Sequence, residues 1–104
     1  MTNQIADRIR EALRVVIDPE LGHNIVDLGF VYDISAVDGA VRITMTATTP
    51  GCPAIRFLKE GVANAAARVP GVGSVDIVMT FDPPWTPSRM SPVVRTSLGF
   101  AAVN

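Results

Sequence analysis

Two alternating apolar–polar runs meet at Asp38-Gly39, a pair that strongly signals a two-residue β-hairpin turn. The first run spans Leu28 to Val37 and the second Val41 to Thr48. In the second, Val41, Ile43, Met45 and Ala47 alternate with Arg42, Thr44, Thr46 and Thr48, which predicts one apolar and one polar face. A sheet with one apolar face needs a covering layer, and the flanking segments supply it.

Residues 3–16 read as an amphipathic helix. Ile5, Ile9, Leu13 and Val16 fall on one stripe, while Asp7, Arg8, Arg10, Glu11 and Arg14 point outward. Thr2 or Asn3 can cap its start, and Asp18-Pro19 ends it, because a residue before proline is pushed out of the α region. A second helix is expected from about Pro53, with Cys52 at or next to its N-cap. Its stripe is Ile55, Leu58, Val62, Ala65, Ala66 and Val69, and Pro70-Gly71 closes it. A third strand runs from about Gly73 to Phe81, with Val75, Ile77, Met79 and Phe81 on one face. Asp82-Pro83-Pro84-Trp85-Thr86-Pro87 reads as a stiff extended segment, and Ser91-Pro92 opens a short helix that Gly99 closes.

The expected class is therefore α+β, with residues 1–104 as a single domain of two layers. The order is helix, strand, strand, helix, strand and a short C-terminal helix, around a three-stranded mixed sheet. The crossover through helix two should be right-handed. The pattern leaves open whether strand three lies beside strand one or strand two.

Composition narrows the function. Apolar residues make up 48% of the 104 and charged ones 18%, which is globular. A net charge of −1 gives no basic footprint for nucleic acid or an anionic membrane. One cysteine cannot form an internal disulfide, so a reducing compartment is expected. The N-terminus lacks the layout of a signal peptide, and no apolar run approaches ~18 residues. A cytoplasmic protein is the expectation.

Three segments hold the residues with chemical potential. Thr48-Thr49-Pro50-Gly51-Cys52-Pro53 places the one thiol at a helix start, where the macrodipole favours a thiolate. A small buried hydrophobe is the alternative for Cys52. The second segment, residues 18–29, carries Asp18, Glu20, His23 and Asp27. Taken alone it reads as a helix stop followed by turn-formers, with carboxylates in solvent. His23 has no second histidine at ligand spacing and reads as a solvent-facing loop residue. The third holds Trp85, which either caps the core or serves a polyproline-type docking surface. Gly-rich phosphate loops, paired Cys-x-x-Cys and His-Glu-x-x-His are absent from the sequence. A cysteine-based hydrolase normally needs a histidine base, for which His23 is the single candidate.

Four runs together, Asp18 to Gly22, Asn24 to Tyr32, Thr48 to Pro53 and Asp82 to Pro87, resemble the SufT/PaaD-type domain of iron–sulfur cluster assembly. The similarity covers nearly the whole chain. The PaaD branch continues into a cysteine-rich extension that this sequence lacks, so the stand-alone SufT-like branch is the better match. The resemblance implies a small α/β fold and a non-catalytic factor in assembly of clusters or maturation of iron–sulfur proteins. It further implies Cys52 as the thiolate contact for iron or a transferring cluster. Asp18, Glu20, Asp27, Thr48, Thr49, Pro53 and Trp85 would shape the site or dock a partner. The resemblance also implies an accessory protein of an aromatic-ring oxygenase; the residues themselves leave open a thiol-dependent catalyst, or a client-binding adaptor that uses the Pro-Pro-Trp segment and a sheet edge and whose cysteine is structural. Clusters are usually held by four cysteine thiolates. One chain offers one, so iron or a cluster should be transient, with further ligands from a second copy, a client or a small thiol. The partners implied are assembly machinery or client proteins; the hairpin's outer edge is a candidate surface for a homodimer.

Overall fold

The computed structural model describes residues 4–48 and 54–99. Helix α1 spans Gln4–Ala12 and tightens into a 3₁₀ turn at Leu13–Val15. Strands β1 (Val31–Val37) and β2 (Ala40–Met45) follow, then α2 (Ile55–Ala67), β3 (Ser74–Met79), a 3₁₀ turn at Pro87–Arg89 and α3 (Pro92–Ser97). The fold is α+β with a three-stranded mixed sheet, as expected.

The hairpin turn forms where the sequence places it. Asp38 and Gly39 both take positive φ (51° and 84°), the conformation that a two-residue turn matched to strand twist demands. Strand β1 pairs antiparallel with β2, and β2 pairs parallel with β3, register Val41↔Val75 and Ile43↔Ile77. The order β1-β2-β3 settles what periodicity left open. The central position goes to β2, whose Val41, Ile43 and Met45 are all buried, while the matching Val75, Ile77 and Met79 of the edge strand β3 are partly buried.

Both helical stripes turn inward. Ile9, Leu13 and Val16 from the first, and Leu58, Val62, Ala65, Ala66 and Val69 from the second, join Phe30, Ile34 and the β2 residues in one core. The opposite sheet face carries Arg42, Thr44 and Asp76, with Arg42 and Asp76 paired at 3.4 Å across β2 and β3.

Several boundaries depart from expectation. The first helix loses α geometry at Ala12 rather than residue 16. Val16 and Ile17, being β-branched, instead extend to pair with Ile25 and Asn24. β1 begins at Val31, not Leu28. Asn24 and Asp27 hold residues 24–29 in turns, and Gly29 takes φ 78° where a Cβ would collide with the Arg89 carbonyl. β2 ends at Met45 rather than Thr48, so Thr46, expected on the polar face, is fully buried with its N–H donated to Phe30 O (2.8 Å). β3 stops at Met79, two residues before Phe81. α2 begins at Ile55, with Ala54 at the N-cap; Pro53 lies outside the described residues.

Candidate functional site

Because β1 runs against β2 while β3 runs with it, the start of β1 and the ends of β2 and β3 share one end of the sheet. In open α/β sheets, ligands gather where parallel strands end. Here that end receives residues 27–30, the exit of β2 toward Cys52 in the sequence, and the segment after β3.

Residues 82–91 are stitched to residues 27–32 by side chains from both and by one backbone bond. Trp85 Nε1 donates to Leu28 O at 2.7 Å, and its ring meets Phe30 edge-on, centroids 5.5 Å apart. Tyr32 Oη donates to Pro83 O (2.8 Å), the Arg89 guanidinium lies 4.5 Å from the Tyr32 ring centroid, and Ser91 N–H donates to Asp27 O (2.7 Å). Trp85 is half-buried against the core, which is the capping role considered for it. Trp85→Ala should therefore cost about 2–3 kcal/mol, less than the roughly 3–5 of a fully buried aromatic. Urea denaturation followed by circular dichroism checks the loss; an unchanged midpoint would return the segment to a pure docking role.

Asp27 anchors the same region. Its Oδ2 accepts from Asn24 Nδ2 (2.9 Å), its Oδ1 from Arg14 Nη1 (2.7 Å), and its own N–H donates to Asn24 Oδ1 (2.9 Å). The Asn24 hydrogen bond, then Arg14, hold its carboxyl below the usual 3.8 against an opposing contribution from burial. A carboxylate whose folded pKa is lowered stabilises the fold above its unfolded pKa and loses that contribution as pH falls through the folded value. Asp27→Asn should accordingly flatten the pH dependence of stability below about pH 4. Urea midpoints for both proteins at pH 6 and pH 3 test it, and an equal drop in the two would remove Asp27 from the acid limb.

Asp18 is not the solvated carboxylate that its turn position suggests. It is 2% exposed, and its Oδ1 accepts from the N–H groups of Glu20 (2.7 Å) and Leu21 (2.9 Å) while its own N–H donates to His23 O (3.0 Å). Glu20 sits exposed on the loop that Asp18 braces. His23 is half-buried rather than solvent-facing, and its Nε2 lies 3.3 Å from Ser97 Oγ on α3. Thr48 is exposed at the exit of β2. Thr49, Cys52 and Pro53 lie outside the described residues. No three of His, Cys, Asp and Glu converge as a metal site among the described residues.

The structure thus brings Asp27 and Trp85 into one bonded unit, with Asp18, Glu20 and His23 on the adjoining loop. Sequence reasoning missed Arg14, read as an outward charge, and Asn24 and Tyr32. The Asn24-x-x-Asp27 spacing, in which a side chain caps a turn, was the available signal. No helix among the described residues is long and apolar enough to cross a membrane.

Comparison with known proteins gives a consistent answer. Residues 6–77 match the family described as iron–sulfur cluster assembly protein. The chain is 40% identical over 100 residues to the Fe-S protein maturation auxiliary factor YitW of Bacillus subtilis, covering 95% of this chain and 98% of that one. It is 37% identical to the Fe-S protein maturation auxiliary factor SufT of Staphylococcus aureus, over 82% of this chain and 98% of that one. A crystal structure of a domain of unknown function from Bacillus anthracis superposes with a TM-score of 0.89 at 37% identity, covering 92% of each chain.

Proposed function

Since the chain belongs to the iron–sulfur cluster assembly protein family, we propose that it is a non-catalytic factor in the maturation of cytoplasmic iron–sulfur proteins. The relatives are named as auxiliary factors of maturation, and their extensive coverage of this chain is the observation that carries the reading. Iron or a cluster is cargo: it is received and handed on, with Cys52 as the thiolate contact. The described geometry supports this role by giving the motif segments a rigid frame. Asp27 and Trp85 lock residues 27–30 in place, and Asp18 shapes the loop that displays Glu20. Thr48, Thr49 and Pro53 flank the thiol in sequence and would set its approach. Assembly machinery or client proteins are the partners, and a second copy of the chain is a further source of cluster ligands.

The test is genetic and biochemical. Deleting the gene should lower the specific activity of cluster-dependent enzymes in the native host while their protein levels hold, and the wild-type gene should restore it. Undiminished cluster enzymes under iron-limited growth would reject the reading.

A further inference from the structure

Three of the large apolar side chains exposed among the described residues lie side by side. Val15 is 74% exposed, Ile17 46% and Phe57 59%, and together they rim a groove of about 280 Å³. Its floor forms where α2 crosses the chain between α1 and the Asp18 loop. Gly61 permits the crossing, since a Cβ there would sit only 3.2 Å from Val16 Cγ1. Phe57, Gly61 and Asn64 recur at helical spacing, with Arg68 following at the C-cap, so one stripe of α2 and its cap form the groove wall. Apolar patches of this kind, rimmed by polar residues, mark protein-binding surfaces.

Charge selects the occupant. Arg68 is the one charged side chain lining the groove, and no carboxylate pairs with it among the described residues. Arg56 and Lys59 turn away from this stripe of α2 and line a separate surface with Glu60, so Arg68 is the groove's own charge. A symmetric contact with a second copy would set Arg68 against a surface that carries no carboxylate, which costs affinity. A partner segment that offers an apolar side chain beside a carboxylate satisfies both halves of the surface.

We propose that this groove docks an acidic amphipathic segment of a client or assembly protein, its apolar residue against Val15, Ile17 and Phe57 and its carboxylate on Arg68. The proposal rests on the maturation reading above.

Two synthetic helical peptides test it: both carry the same leucine face, with glutamate on the other face in one and lysine in the other. Titrated into the isotope-labelled full chain, the glutamate peptide should shift the resonances of Val15, Ile17, Phe57 and Arg68. It should bind roughly tenfold more tightly than the lysine peptide. Phe57→Ser and Arg68→Glu should each weaken it about tenfold, a factor that would follow from loss of one anchor contact. Both residues are exposed, and circular dichroism confirms that the variants fold. Equal affinity for the two peptides, shifts confined to other surfaces, or self-association through the groove would overturn the proposal. The cluster-enzyme assay reports separately: intact enzymes after gene deletion reject the maturation reading, whereas lost enzymes with no peptide discrimination reject the groove alone.

Discussion

Phe30→Ala is expected to produce the largest loss of stability of any single truncation at the motif-bearing end of the sheet, about 3–5 kcal/mol. Phe30 is fully buried, and it joins the exit of β2 to the 82–91 segment. Its carbonyl accepts from Thr46 N–H where the chain leaves β2, and its ring supports Trp85 edge-on. Truncation would leave a cavity under the 82–91 segment and remove an aromatic pair worth roughly 0.5–1.5 kcal/mol beyond its area. For a small domain with ~5–15 kcal/mol of total stability, that loss is severe. Trp85 is the sole tryptophan, so its fluorescence reports on this region alone. Emission should shift to longer wavelength in the variant as the ring gains water. If Phe30→Ala does not fold, Phe30→Leu gives a smaller loss with the same direction of shift. A loss under about 1 kcal/mol, or unchanged emission, would show that residues 82–91 are held by their hydrogen bonds and not by this core.

The elements legible in the sequence were those whose physics is local. Asp38-Gly39 fixed the hairpin because few residues accept two successive positive φ values. The helical stripes of Ile9, Leu13 and Val16, and of Leu58, Val62 and Ala66, were readable because burial must repeat at the helical period. Strand order was not readable, since a period of two says which face is buried and nothing about neighbours. The start of β1 was misplaced for a related reason: Leu28 and Phe30 are apolar and alternate correctly, yet Asn24, Asp27 and Gly29 turn the chain beneath them. Thr46 shows the same limit, a polar residue in perfect alternation that is buried because the strand has already ended. Asp18 and Arg14 were illegible as structural groups because their partners come from loop closure. Asp18 closes on the N–H groups of Glu20 and Leu21, and Arg14 reaches Asp27 across 13 positions. The family motifs were visible as strings, and the structure assigns some of them to architecture: Asp27 and Trp85 are bonded to their own chain.

In the proposed role the chemistry turns on Cys52, and Cys52→Ser should abolish client maturation while leaving the fold intact. Serine changes little in volume but removes the thiolate, the species that binds iron and clusters. In sequence Cys52 stands two positions before the Ala54 N-cap of α2, not at or next to the cap as expected, and α2 has no acidic residue in its first turn to oppose a thiolate. Under the thiolate reading, the rate of iodoacetamide modification against pH should give an apparent pKa below the ordinary cysteine value of about 8.5. Stoichiometry supplies the second constraint. One thiolate per chain against the usual four means that a reconstituted cluster should appear only with a dimer, an added thiol or a client present. Anaerobic reconstitution followed by native mass spectrometry distinguishes these, and the serine variant should carry no cluster in any of them. A monomer holding an intact cluster without added ligands would overturn the single-thiolate argument and turn attention to Glu20 and His23. If the serine variant restores cluster enzymes in a deletion strain as well as wild type does, Cys52 is structural, and the protein acts by bringing clients to the machinery.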